Sequence, residues 1–141
     1  MPNRTGKNRL LKLAALLEAD AKNKKGVKFD LGTWGSTEDI GLIPVSVSCG
    51  TTACAVGLAV VSGVFKRSGL YNGAYFPGKI VPGFDNKIGF GAVEAFFELT
   101  QKEAAFLFED DSYPDYLCRG AKGERFVAKR IRQFVAGETA P

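Results

Sequence analysis

The stretch Cys49-Gly50-Thr51-Thr52-Ala53-Cys54-Ala55-Val56-Gly57-Leu58-Ala59-Val60-Val61-Ser62-Gly63-Val64 decides the fold. Residues 53–61 are apolar apart from Gly57, about half of the roughly 20 residues that a bilayer span requires. They therefore predict a core helix. Thr51 or Thr52 can cap it, because a hydroxyl oxygen accepts from an orphan amide of the first turn. A helix apolar on all sides is surrounded by protein. The reading is a central helix over 51–64, with Gly57 and the alanines leaving room for close neighbours.

Toward the N-terminus, Leu10, Leu13, Leu16 and Leu17, with Ala14, recur at three- and four-residue spacing and predict a helix over 8–21. Residues 1–7 are polar and are expected to be a mobile lead-in. Residues 22–28 read as a basic linker broken by Gly26. Phe29, Leu31 and Trp34 anchor an irregular stretch. The β-branched run 40–47 predicts a short strand, which Pro44 confines to an edge.

Toward the C-terminus, Gly69, Gly73, Pro77, Gly78, Pro82 and Gly83 punctuate residues 65–88, and short strands or a hairpin are expected over 70–84. A helix over 90–98 follows. Thr100-Gln101-Lys102-Glu103 has capping-box spacing and starts a helix that runs to 108. A loop over 109–123 includes Tyr113-Pro114. The last helix, over 124–136, turns Phe126, Val127, Ile131, Phe134 and Val135 inward and has Gly137 at C′. The class is α+β and mainly helical, with about five helices around the central one. A single domain over 1–141 accommodates it.

Charge is unevenly placed. Residues 1–28 carry eight basic and two acidic residues, residues 29–118 five and eleven, and residues 119–141 six and two. Basic ends thus flank an acidic middle. Packed side by side, the terminal helices would present a basic face that attracts anions, or would simply offset the acidic middle. Three cysteines, Cys49, Cys54 and Cys118, leave no complete disulfide framework, which implies a reducing, cytoplasmic setting. No small-residue cleavage site follows the basic N-terminal residues, so no signal peptide is expected.

The order of landmarks carries a resemblance. Phe29-Asp30-Leu31-Gly32-Thr33-Trp34 precedes Cys49-Gly50-Thr51-Thr52-Ala53-Cys54, and Leu99-Thr100-Gln101-Lys102-Glu103-Ala104 runs into Leu107-Phe108. The chain resembles a family of small uncharacterised proteins of bacterial and bacteriophage genomes that share the Cys-Gly-Thr-x-x-Cys segment at a helix start. The resemblance implies an intracellular protein, phage-encoded in one setting, and carries no catalytic residue.

There is no histidine, which removes Ser-His-Asp and Cys-His sites and imidazole-bound zinc. Lysine and carboxylate bases remain open. Cys49 and Cys54 are five apart with one further sulfur, a poor set for metal. No metal or cofactor is implied. Cys49 at a helix N-terminus would have a lowered thiol pKa, or would be a small hydrophobe in a turn. Cys54 reads as core. Gly50, Thr51 and Thr52 offer amides and hydroxyls to an anion, without the Gly-Lys-Ser/Thr of a phosphate-binding loop, or simply cap the helix. Tyr71, Tyr75, Tyr113 and Tyr116 keep hydroxyls that prefer a wet edge, which suits them to ligand contact. The acidic run at 109–112 with Asp115 lacks the ligand spacing of a calcium loop. Arg125, Lys129 and Arg132 share one face of the last helix and can hold phosphate, or form a solvated face.

The expected function is a non-catalytic binding protein for a small anionic, nucleotide-like ligand, using Cys49, Gly50, Thr51, Thr52, Tyr71, Tyr75, Tyr113, Tyr116, Arg125, Lys129 and Arg132. In a phage it would sequester a host immune signalling nucleotide. The alternatives are a protein-interaction or inhibitor module acting through charged patches, homo-oligomers included, and an enzyme using Cys49. Nucleic acid is disfavoured, because neither a strongly basic domain nor a known module is present, and no membrane partner is expected.

Overall fold

The computed structural model describes residues 1–23, 27–37 and 51–141. The structure is mainly helical α+β, with five α-helices and two small sheets among the described residues. Helix α1, Arg4–Lys22, starts four residues earlier than its leucine pattern predicts. Asn3 supplies the reason: its side chain accepts from the Thr5 and Gly6 amides at 3.0 and 3.4 Å. Residues 4–7 are therefore helical and Pro2 is buried, in place of a free lead-in. Leu10, Leu13, Ala14 and Leu17 form the expected buried stripe.

The central segment departs from expectation at its start. Thr51–Ala53 is a strand, β3, and not the first turn of a helix. It lies between β1 (Lys28–Phe29), to which it is parallel, and β2 (Gly35–Thr37), to which it is antiparallel. Two successive threonines favour this extended backbone, since β-branched side chains suit a pleated surface. Thr51 is fully buried and caps nothing in the helix.

Helix α2, Ala55–Ser62, begins one residue beyond the strand. Cys54 is its N-cap, with Sγ accepting from the Gly57 amide at 3.3 Å. Cys54 is buried as expected, but at the cap and not within the helix. The Trp34 carbonyl takes the Cys54 amide at 3.3 Å and its thiol at 3.6 Å. Gly57 is required here: a Cβ would overlap the Trp34 carbonyl. The helix ends at Gly63, in the left-handed region with φ 73°. Its first five residues are buried and its last three half-buried, so protein surrounds only the N-terminal part.

The second sheet is antiparallel: β4 (Tyr71–Asn72), β5 (Pro82–Phe84) and β6 (Lys87–Ile88), with β5 central. The expected hairpin thus gains a third strand. Helix α3 (Phe90–Phe97) and helix α4 (Gln101–Phe108) follow. The capping box is present in full: the Glu103 amide donates to Thr100 Oγ1 at 3.1 Å, and the Thr100 amide donates to Glu103 Oε1 at 2.9 Å.

Helix α5, Gly120–Val135, makes its main contact with α1. The two basic helices do pack side by side. Gly137, at φ 77°, closes α5 with two paired bonds, Gly137 N–H to the Phe134 carbonyl and Glu138 N–H to the Gln133 carbonyl. The core includes Phe65, Phe96, Phe97 and Phe108, with the partly buried Phe84 packed on them, ring centroids 4.9–6.1 Å apart along the chain of contacts and mostly edge-to-face. Among the described residues, no helix is long and apolar enough to cross a membrane. The predicted strand at 40–47 and Gly26 of the predicted linker lie outside the described residues.

Candidate functional site

The two sheets meet where Ile80 N–H donates to the Gly35 carbonyl at 3.0 Å and Ser36 bridges Lys79. Beside this junction is a groove of about 310 Å³. That volume lies at the lower end of ordinary small-molecule sites. One wall is the Thr33–Trp34–Gly35 backbone turn. The other is the loop between β4 and β5 together with Ile88 of β6.

The loop has a built shape. Phe76-Pro77-Gly78-Lys79 is a turn closed by Lys79 N–H to the Phe76 carbonyl at 3.2 Å, with Gly78 at φ 79°. Proline followed by a left-handed glycine is the signature of a type II turn. Asn72 braces the loop from inside. Its Oδ1 accepts from the Ala74 and Val81 amides at 3.1 and 3.0 Å, and its Nδ2 donates to the Lys79 carbonyl at 3.0 Å. The brace leaves Tyr75 88% and Phe76 74% exposed at the tip. The two adjacent rings form one contiguous exposed apolar surface, and surfaces of that kind mark binding sites more often than single exposed side chains do.

Lys79 stands exposed at the groove wall. Among the described residues no carboxylate pairs with it. The surrounding stretch carries Lys66, Arg67 and Lys87 against Asp85 alone, so it is locally basic within the acidic middle of the chain. Trp34 closes the far end, its ring 4.8 Å from Phe90. The groove thus offers aromatic faces, an ammonium group and loop amides. Among the described residues that line it there is no carboxylate.

The residues singled out in the sequence fall in several places. Cys49 and Gly50 lie outside the described residues. Thr51 is buried within β3 and Thr52 is half-buried on the same strand, so neither stands at a helix N-terminus. Tyr75 lines the groove. Tyr71 is 43% exposed on the same sheet, and its hydroxyl donates to the Asp85 carbonyl at 2.8 Å. Tyr116 is exposed, with Lys122 Nζ 5.6 Å from its ring.

Tyr113 is a correction. It is buried, and its hydroxyl donates to the Leu107 carbonyl at 2.7 Å. Burial pushes its phenol pKa well above the ordinary range. The reason is Arg130, whose guanidinium sits 3.9 Å from the Tyr113 ring centroid and makes that ring part of the α4–α5 packing. Arg125, Lys129 and Arg132 are exposed on one face of α5, as their spacing predicts. Arg132 is engaged by Glu18 of α1 through bonds of 2.9 and 2.6 Å. Its charge is already matched.

Sequence reading missed Asn72, Lys79 and Ile88, took Trp34 for a core anchor and did not select Phe76. The signal available was Tyr75-Phe76-Pro77-Gly78-Lys79, two adjacent aromatics and a lysine around an obligate turn. The two described thiols are buried and neither has a lowered pKa. Burial raises the pKa of Cys54 to about 11, and burial with Asp110 and Asp115 nearby raises that of Cys118. Among the described residues no cluster of three metal-ligating side chains occurs. Comparisons with protein-family models, with curated proteins and with solved structures returned no match.

Proposed function

We propose that this protein is a non-catalytic binding protein whose site is the groove between Trp34 and the β4–β5 loop, and whose ligand is a small planar anion of nucleotide type. The observation that carries the reading is the pairing of exposed aromatic faces at Tyr75 and Phe76 with the ammonium of Lys79, which no carboxylate among the described residues pairs, across one groove. A base or similar ring on an aromatic side chain gains roughly 1–3 kcal/mol. An anionic group near Lys79 adds a charge-assisted bond. The anion site foreseen at the helix N-terminus is replaced, because Thr51 and Thr52 belong to a strand.

The test is calorimetry with mononucleotides and cyclic nucleotides. The expected result is saturable binding, weakened about tenfold or more by Tyr75→Ala or Phe76→Ala. Lys79→Met should weaken anionic ligands and spare the matching nucleosides. Absence of binding across such a panel overturns the ligand class.

A second reading has one observation in its favour. Tyr71, Tyr75, Phe76 and Ile88 are all exposed on the β4–β6 sheet and its loop, and such apolar surface also suits a protein partner. Sedimentation of the purified protein would detect self-association through this sheet, abolished by Phe76→Glu.

A further inference from the structure

A second polar feature lies away from the groove, between the terminal helices. Glu124 of α5 is only 2% exposed. It faces Asp20 of α1 within hydrogen-bonding reach. Asp20 Oδ1 is occupied by the Val27 amide at 3.2 Å. Its other oxygen, Oδ2, and Glu124 Oε2 are both buried, and among the described residues neither has a donor. Two carboxylate oxygens are both acceptors. They satisfy each other only when a proton lies between them.

We propose that Asp20 and Glu124 share one proton in the folded protein, forming an acid–carboxylate bond that ties α1 to α5 and that alkali opens. Asp20 also holds Val27, just ahead of β1, so the same bond anchors the edge of the first sheet. On dissociation the proton passes to water, and two like charges remain where no donor among the described residues compensates them. Burial, and next Asp20, raise the Glu124 pKa to about 9, while the adjacent Arg125 lowers it. The other elements packed on α5 contribute little opposing charge. Lys28 of β1 and Asp115 of the 3₁₀ turn Asp115–Leu117 are exposed, and the Glu103 carboxylate of α4 is held by Thr100 and the Met1 amine.

The sign follows from linkage. Unfolded carboxyls ionise near pH 4, so at neutral pH the unfolded pair holds no proton and the folded pair holds one. The raised pKa makes the contribution to stability complete below about pH 4. It is lost progressively as pH rises through about 9. Within that window each pH unit lowers the folding equilibrium constant by up to about tenfold.

The experiment is urea unfolding of the wild type and Glu124→Gln at several values between pH 5.5 and 8.5. The glutamine amide donates to Asp20 without a titrating proton. The expected result is a wild-type folding constant that falls about tenfold per pH unit relative to Glu124→Gln. Parallel profiles would overturn the proposal. So would wild-type stability that rises with calcium or magnesium and falls with chelator, since a bridging cation would then occupy the pair. Carbon-13 NMR titration of the wild-type Glu124 carboxyl needs no variant. A protonated signal persisting through pH 7 supports the shared proton, and ionisation near pH 4 refutes it.

Discussion

Replacing Arg130 by alanine should be among the more damaging single changes outside the phenylalanine core. Arg130 Nη1 donates to the Phe106 carbonyl at 3.0 Å and to the Ser112 carbonyl at 2.7 Å. Its guanidinium also lies 3.9 Å from the Tyr113 ring centroid and 4.6 Å from that of Phe106. A hydrogen bond from a charged donor contributes about 1.5–3 kcal/mol. Cation–aromatic stacking adds roughly 0.5–2 kcal/mol. Arg130 is only half-buried, so water replaces part of each interaction. The contributions also overlap, and a net loss of about 2–4 kcal/mol is expected. Against a total stability of about 5–15 kcal/mol this is a large fraction. Tm should fall by on the order of 10 °C. Arg130→Lys keeps the charge but loses the planar fork and should recover less than half of the deficit. Urea unfolding with an unchanged m-value is the assay. An alanine variant within about 0.5 kcal/mol of wild type would show that the guanidinium is a surface ornament and that Tyr113 and the 109–119 loop are held by other contacts.

Gly57→Ala should destabilise by about 2 kcal/mol or more, although alanine is the better helix former, because the added methyl drives into the Trp34 carbonyl; a neutral or stabilised variant in thermal melts would contradict the close approach of α2 to that turn. Cys54 should resist iodoacetamide at pH 8 in the native state and react once urea exposes it, since its buried thiol titrates near 11. Rapid native labelling at Cys54, read by peptide mass spectrometry, would refute that placement.

Parts of the fold were legible because their signals are local. The leucines of α1, the capping box at Thr100 and Glu103, and Gly137 beyond α5 each depend on residues within a turn or two of one another. The start of the central helix was not. Thr51 and Thr52 suit both a cap and a strand, and the decision is made by β1 and β2, which flank them from elsewhere in the chain. Tertiary pairing overrode local preference. Arg130 was unreadable for a similar reason, since only Phe126 lies a turn away on α5, while Phe106 and Tyr113 come from α4 and the loop after it. The groove unites Trp34 with residues 73–88, a pairing that no spacing rule encodes. Tyr75 was recognised through its residue type, while Lys79 and Asn72 acquire meaning only from the loop they line and brace.

Each of the two sheets has strands of only two or three residues, far too short to persist alone in water. They are stitched together at Ile80 and Gly35, and the groove straddles that stitch. A molecule bridging Trp34 and the Tyr75–Phe76 tip would therefore work as a staple between two weak ribbons. Its signature in hydrogen exchange would be slowed amides on both sides at once, at Ile80 and Val81 as well as at Gly35 and Ser36, with the far helices unchanged.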